Sequence, residues 1–418
     1  MSGIYYGWIV LVGLFIAYTA SNGIVINVLP LFYPDLIQEF GWDQEEVTRP
    51  SALFYLFAAF LSPIGGYLVD RFSPQRVMFF GVTLITAALF CFQFVTELWQ
   101  LTISYIVFAL GLSCGGIIAS MLLLTRWFVR YRGLAVGILL MASSFGGAVF
   151  SLAYIPGDWR TSILLMTVVG GIMMILPIIF LVRNRPQDMG LHPDGAEVEL
   201  KSKQMEELAA PADSGPTLAE AAKTPIFWLL AFATGTMWFC FVGVLNHQSI
   251  YLRDDAGIDA AHLPLIFSTF FWAAVVGKVL FGYLSDLFDK GLIMLLGVIN
   301  LALGIIVLRL VGPGDIFTAY TFAVVYGVGY SGAFTMIQMM IAEYFSGASY
   351  GKILGCFAMV DTLAGAAGIQ ILGRMRVGME SYIPSFNLMI TLCVIATGCI
   401  IVMNRLTKRG VRIAAEVT

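Results

Sequence analysis

Lys278 is the residue whose chemistry is hardest to reconcile with its surroundings. It lies in Trp272–Asp286, WAAVVGKVLFGYLSD, with six uncharged residues before it and apolar residues after it. An ammonium group at the centre of an apolar helix of bilayer length costs about 2.5–3.5 kcal/mol on insertion scales. Charged side chains at such positions usually face a partner or a solute pathway. Lys278 is therefore the first candidate for a cation that binds an anion.

Asp361 is the second charge that lies deep in an apolar segment. At 1.5 Å per residue it lies roughly 16 Å into its predicted helix, and Lys278 lies roughly 12 Å from the end of its own. These similar depths lead to the hypothesis that the two side chains face each other. The pair could pin two helices permanently, or it could open to admit an anion. Because a permanent buried ion pair stabilises a fold poorly, the second interpretation is favoured.

The composition is that of a protein embedded in a bilayer. The 418 residues are 59% hydrophobic and 12% charged, with a mean hydropathy of +0.87. Twelve apolar segments are long enough to cross a bilayer core of about 30 Å, and their continuous character predicts helices rather than barrel strands. The predicted fold class is an all-α membrane protein with twelve transmembrane helices in two pseudo-symmetric six-helix halves. The segments lie near 7–33, 46–70, 76–96, 99–127, 132–154, 159–182, 224–252, 262–286, 291–311, 315–345, 350–373 and 384–405.

Several classes of function are disfavoured. The net charge of −3 gives no reason to expect a nucleic-acid partner. The six cysteines lie in apolar segments without metal-ligand spacing, so neither a metal site nor a cofactor is expected. The chain shows no nucleophile constellation and no phosphate-binding loop, so it is not expected to be an enzyme.

A polar stretch divides the chain into two halves. We expect an N-terminal six-helix half at 1–182, a cytoplasmic linker at 183–223, a C-terminal six-helix half at 224–405 and a cytoplasmic tail at 406–418. The expected cytoplasmic segments hold 16 of the 23 Lys and Arg residues, and the expected outer loops hold six. By the positive-inside rule both termini are then cytoplasmic, in the cell membrane. We expect the protein to function as a monomer.

The two halves also repeat. Four residues of the first half recur after 216 positions, and two glycines recur after 218. Two parallel six-helix halves with a site near the midplane are an architecture of membrane transporters, so the repeat itself argues for transport. The matches are Gly41, Gly66, Asp70 and Gly81 with Gly257, Gly282, Asp286 and Gly297, and Gly133 and Gly137 with Gly351 and Gly355.

The segment GGYLVDRFSPQR, Gly65–Arg76, resembles the G-x-L-x-D-R signature of the major facilitator superfamily, and FGYLSDLFDKG is its weaker second copy. The resemblance implies the major facilitator fold, in which these residues hold the cytoplasmic ends of helices together and help to gate conformational change. The alternative is a turn whose charges mark only the membrane boundary. The implied gate residues are Gly66, Asp70, Arg71, Gly282 and Asp286.

A narrower resemblance covers nearly the whole chain. YYGWIVLVGLF, FGWD, RWFVRYRGLAVGI and RPQDMGLHPDG are similar to segments of the bacterial monocarboxylate-transporter-like group, which includes the oxalate/formate antiporters. That group has an Arg that binds the substrate carboxylate four residues before the second motif's Gly, and Lys278 stands there. Three other charged positions of these families differ, since Ala274, Asn27 and Phe357 occupy them. The resemblance thus implies a carboxylate substrate more firmly than a coupling mechanism.

Four further residues complete the predicted site. By the 218-residue shift Ser143 is the first-half counterpart of Asp361, so Ser143 or Ser144 is expected to contact the rest of the substrate together with Asn27, although a membrane Ser more often bonds its own backbone. Tyr330 could line the cavity or only pack. His247 could relay protons, or it could bond across helices 7 and 8.

The predicted function is secondary transport of a small organic anion by alternating access. One cation favours a monocarboxylate over a dicarboxylate. Protonation of Asp361 would free Lys278 to accept the carboxylate, which gives electroneutral symport with protons. Anion exchange of the oxalate/formate type, and proton-coupled carriage of neutral or zwitterionic solutes or drugs, are the alternatives. A sensor is disfavoured because the linker and tail leave no room for a signalling domain.

Overall fold

The computed structural model describes residues 5–194, 216–345 and 349–417, and within them twelve helices are long and apolar enough to span a membrane. This confirms the predicted all-α fold class, and every predicted apolar segment overlaps one of the helices. The first six are Tyr6–Phe40 (α1), Gln44–Val69 (α2), Pro74–Phe92 (α3), Leu98–Trp127 (α4), Arg132–Ala153 (α5) and Trp159–Phe180 (α6). The others are Pro225–Asp255 (α7), Leu263–Leu287 (α8), Lys290–Arg309 (α9), Ile316–Phe345 (α10), Gly351–Met379 (α11) and Ile383–Thr407 (α12).

Contacts divide the chain into two compact units. One comprises 1–210 with Leu263–Ser268, and the other comprises 211–262 with Thr269–Thr418. In the first unit α1 packs on α5 and α6, and α4 packs on α2 and α3. In the second unit α7 packs along α11 and α12, and α9 packs along α10 and α12.

Helix α1 continues further than the sequence predicts, and its middle is irregular. A π-helical turn at Gly23–Val28 is followed by a 3-10 turn at Leu29–Phe32, and the α-helix then resumes at Tyr33–Phe40. Pro30 and Pro34 lack the backbone N–H that a regular helix needs, which accounts for the changed hydrogen-bond pattern. Residues 34–40 are too polar to be counted in an apolar segment, but they continue the same helix.

The internal repeat is visible in the structure. Gly41 and Gly257, which are related by the 216-residue shift, adopt left-handed φ values of 69° and 61° after α1 and α7. A side chain is strained in that conformation, so both turns require glycine. Gly81 and Gly297 both lie where a neighbouring helix comes close, since an added Cβ would be 2.5 Å from Gly111 O and 3.2 Å from Ala333 N respectively. Equivalent positions thus have equivalent structural roles.

Three of the sequence motifs meet at the connection between α4 and α5 in the first unit. The carboxylate of Asp194 accepts hydrogen bonds from the backbone N–H groups of Val129 at 2.7 Å and Tyr131 at 3.3 Å. The Tyr5 hydroxyl donates to the Trp127 carbonyl at 2.7 Å. The segment RPQDMGLHPDG therefore fixes the connection between α4 and α5, within RWFVRYRG.

Helices α1 and α5 touch backbone to backbone at Gly146, which gives a prediction for stability. A Cβ at Gly146 would lie 2.0 Å from Thr19 O, so Gly146→Ala must separate the two helices. Overpacking of this kind costs about 1–3 kcal/mol, and we expect a lower melting temperature of the purified protein. Gly137→Ala is the matched control on α5, because nothing lies within 4 Å of its added Cβ. Equal melting temperatures for the two variants would contradict the close contact.

Candidate functional site

The position of Lys278 follows from a close contact between α8 and α10. A Cβ at Gly277 would lie 2.1 Å from Ser331 Oγ and 3.0 Å from Val328 Cα, so the two helices are too close for any larger residue at position 277. The next residue, Lys278, places its Nζ 5.5 Å from the centre of the Phe334 ring on α10. This is the distance range of a cation–π interaction. The Lys278 side chain is half-buried.

An aromatic cluster surrounds this contact, and we define it as Trp238, Phe241, Phe270, Tyr330 and Phe334. Ring centres lie 6.0 Å apart for Trp238 and Phe334, 4.9 Å for Phe241 and Tyr330, and 5.5 Å for Phe270 and Tyr330. Phe241 and Phe270 are buried, whereas Trp238, Tyr330 and Phe334 are partly exposed. Three accessible rings thus lie in front of two buried ones. Tyr330 belongs to this cluster, and its contact with substrate stays a prediction.

Trp238 is a residue of this site that the sequence reasoning missed. Its Nε1 is buried and has no hydrogen-bond partner within the described residues. Most buried donors in proteins are hydrogen-bonded to protein or to ordered water, so such a group marks a place to look for function. The available signal was an indole donor in the middle of an apolar helix.

Asp361 lies at the interface of α11 and α7. Its side chain is 3% exposed, and its Oδ1 has no hydrogen-bond partner within the described residues. The Thr234 side chain of α7 contacts the carboxylate. Beside it, an added Cβ at Gly235 would lie 3.5 Å from Val360, so the two helices are in van der Waals contact here.

The two deep charges therefore have different neighbours, and α7 connects them. Thr234, which contacts Asp361, and Trp238, which contacts the Phe334 ring beneath Lys278, are four residues apart on α7. Residues four apart lie on one face of a helix, about 6 Å from each other along its axis. Direct facing of Lys278 and Asp361 stays a hypothesis.

His247 is buried and uses both of its ring nitrogens. Nε2 lies 2.9 Å from the carbonyl oxygen of Ile369, and Nδ1 lies 2.8 Å from the Tyr382 hydroxyl. A carbonyl can only accept, so Nε2 carries the proton, and Nδ1 of the neutral ring accepts from the tyrosine. This geometry favours the structural alternative over a proton relay. The helix that His247 bonds is α11, not helix 8 as the sequence reasoning expected.

Asn27 and Ser143 lie side by side, but their polar groups are hydrogen-bonded to each other. Asn27 Nδ2 donates to the Ser143 carbonyl at 2.8 Å and lies 3.2 Å from its Oγ, which in turn donates to Asn22 Oδ1 at 3.2 Å. The π turn of α1 positions Asn27 for this bond, and π turns are frequent at functional sites. A substrate would have to exchange these bonds, so the predicted contact with substrate stays a prediction.

The predicted gate residues lie towards the ends of their helices in the two units. Arg71 donates to the Tyr67 hydroxyl of its own helix, and Asp286 is exposed. Gly66 and Gly282 have open space where a Cβ would be. The side chain of Asp70 lies outside the described residues, and the gating role of all five stays a prediction.

Comparison with known proteins gives one family and one fold. A sequence model of the Major Facilitator Superfamily matches residues 10–369 and also 228–413. The crystal structure of a bacterial homolog to the human lysosomal transporter Spinster, in an inward-facing and occupied conformation, superimposes with a TM-score of 0.75 at 15% identity, covering 97% of this chain and 98% of that one. At this identity the similarity shows the fold alone.

Among three relatives of this chain, two names state a solute. The uncharacterized MFS-type transporter YcxA of Bacillus subtilis is 20% identical over 401 residues, 94% of this chain and 92% of that protein. The glycerol-3-phosphate transporter of Bacillus subtilis is 24% identical over 67% of this chain and 65% of its own length. Monocarboxylate transporter 13 of Bos taurus is 24% identical over 91% of this chain and 85% of its own length. All three are transporters by name, not enzymes.

Proposed function

The chain belongs to the Major Facilitator Superfamily, and we propose that it carries a small organic anion, a monocarboxylate, across the cell membrane by alternating access. It is a multi-pass membrane protein, and the relatives YcxA and monocarboxylate transporter 13 are transporters by name. Both termini in the cytoplasm and a monomeric working form are parts of the proposal. The distribution of 16 of the 23 basic residues in the expected cytoplasmic segments supports the orientation.

The observation that carries the proposal is the placement of Lys278. Its ammonium group lies half-buried in a membrane helix, over the Phe334 ring and beside partly exposed aromatic side chains. A cation in this environment interacts far more strongly with an anion than a cation in water does, because screening is weak. A single ammonium matches a single carboxylate in charge.

Asp361 supports coupling to protons. A carboxylate that is 3% exposed and has an oxygen without a hydrogen-bond partner within the described residues is costly to keep ionised in a membrane protein. Uptake of a proton there, together with a carboxylate at Lys278, leaves the net charge of the site unchanged. Because α7 contacts both places one helical turn apart, a change at Asp361 can reach the aromatic cluster through Trp238. We therefore propose electroneutral proton symport.

The test of the proposal is a substrate screen in proteoliposomes with an inward proton gradient. Labelled lactate and other short monocarboxylates are expected to accumulate, and the corresponding amides are expected neither to accumulate nor to compete. Competition by the amides as strong as by the acids would show a carrier of neutral solutes instead. Trans-stimulation that a pH gradient does not alter would show an anion exchanger of the oxalate/formate type.

An organic phosphate is the second candidate, and the similarity to the glycerol-3-phosphate transporter favours it. A phosphate monoester carries nearly two charges at neutral pH, so Lys278 alone would leave about one of them without a cation. The buried carboxyl group of Asp361 makes the region even less favourable for a dianion. Glycerol 3-phosphate in the same screen decides the point, since preference for it over every monocarboxylate would replace the first proposal.

A further inference from the structure

If the proposed function is taken as given, the residues around Lys278 also indicate which kind of monocarboxylate is carried. We infer that the transported monocarboxylate carries an aryl group, which stacks in the aromatic cluster while its carboxylate pairs with Lys278. Short aliphatic acids such as lactate are then secondary substrates of the same site. The structural feature behind this inference is the juxtaposition of one ammonium with three partly exposed rings.

The accessible rings lie on two helices and form one surface. Trp238 of α7 contacts Phe334 of α10, and Tyr330 lies one turn from Phe334 on the same helix. Their partial exposure separates them from Phe241 and Phe270 behind them, which are 2% and 0% exposed. The partial exposure of these three rings leaves aromatic surface next to Lys278 on which a ring of the solute can stack.

The surface formed by Trp238, Tyr330 and Phe334 is larger than the apolar part of a two- or three-carbon acid can cover. Lactate has one methyl group beside its polar atoms, whereas an aryl acid brings a flat face that can stack against Phe334, Tyr330 or Trp238. Aromatic pairs contribute a factor of about 2 to 10 in affinity beyond simple area burial. Lys278 Nζ lies 5.5 Å from the Phe334 ring centre, so a solute whose carboxylate meets the ammonium has its remaining atoms beside that ring. One solute can therefore engage both groups at once.

Binding to the purified protein tests the inference, because protonated aryl acids cross liposome membranes unaided. Isothermal titration with acetate, lactate, cyclohexanecarboxylate, benzoate and phenylacetate compares charge, size and aromaticity. The Lys278→Gln protein serves as the blank, which subtracts partition of aryl acids into the detergent. Benzoate or phenylacetate is expected to bind at least about ten-fold more tightly than lactate, from the stacking factor and the added apolar area.

A matched pair of variants assigns the ring. Phe334→Leu keeps the apolar volume but removes the aromatic face, and it is expected to weaken binding of aryl acids about three- to ten-fold and binding of lactate by a clearly smaller factor. Phe345→Leu is the control on the same helix, since Phe345 packs with Phe227 and Phe357 away from Lys278. It is expected to leave both classes of acid unchanged.

The outcomes separate the inference from the function on which it rests. Lactate binding as tightly as benzoate in wild type would overturn the aryl preference and leave monocarboxylate transport standing. An equal loss for all acids in Phe334→Leu would also overturn it, since the ring would then act only by holding Lys278. Absence of binding by every acid would remove the proposed function itself.

Discussion

Lys278→Gln is expected to reduce carboxylate uptake by at least about 30-fold, because loss of one partner of a desolvated charge pair costs about 2–5 kcal/mol. Glutamine keeps the length of the side chain and most of its packing against Phe334, while it removes the charge that the anion needs. The folded protein is not expected to lose stability, since a charge in an apolar helix is costly to begin with. Uptake of labelled substrate into proteoliposomes, with protein orientation and amount matched, measures the effect.

Two controls make this result specific. Lys290→Gln removes a lysine that pairs with Glu343 at the beginning of α9, away from the aromatic cluster, and it is expected to keep most of the uptake. Lys278→Arg keeps the charge but changes its shape, so partial uptake is expected. Wild-type uptake by Lys278→Gln would make the lysine a structural residue and would remove the basis of the anion proposal.

Asp361→Asn is expected to abolish stimulation of uptake by an inward proton gradient, while exchange of labelled for unlabelled substrate continues. The asparagine amide resembles the protonated carboxyl in charge and shape. The variant therefore behaves as if a proton were permanently bound at position 361. Return of the empty carrier then becomes the blocked step, whereas exchange of one substrate molecule for another does not require it. Net uptake at the same substrate concentration should fall at least about ten-fold, as for loss of roughly 1.4 kcal/mol at a rate-limiting step.

The matched control is Asp315→Asn, at the exposed start of α10. The Thr318 hydroxyl and backbone N–H hold the pKa of Asp315 below its usual value, so this carboxylate stays ionised across the assay range. Its replacement is expected to leave the response to the gradient unchanged. Gradient-driven uptake that survives in Asp361→Asn would exclude the coupling scheme and point to another acid or to anion exchange.

The sequence was sufficient for the fold because the signals that define it are local. Apolar segments of bilayer length specify the helices, and the 216-residue shift pairs Gly41 with Gly257 at turns of the same left-handed conformation. The continuation of α1 to Phe40 was missed, since hydropathy reports polarity and not whether a helix ends. Lys278 and Asp361 could be singled out because charges are rare in apolar helices.

The surroundings of those charges could not be predicted in the same way. With 32 Phe, 17 Tyr and 8 Trp in the chain, no single aromatic residue stands out, and helix rotation decides which rings meet. Trp238 and Phe334 are 96 positions apart but have ring centres 6.0 Å apart. His247 likewise bonds Tyr382, which is 135 positions further along the chain, so its structural role depends on tertiary packing that no periodicity reports.

The contact of α8 with α10 at Gly277 has a consequence for how this protein can evolve. A Cβ at Gly277 would lie 2.1 Å from Ser331 Oγ, so α8 and α10 are closely packed at the position next to Lys278. Under the proposed function, the groups that select the acid all lie on α7, α8 and α10 of the second unit. Substitutions at the three accessible rings are expected to change the preferred acid and to leave the transport mechanism unchanged. Closely similar chains can therefore differ in substrate and share one mechanism.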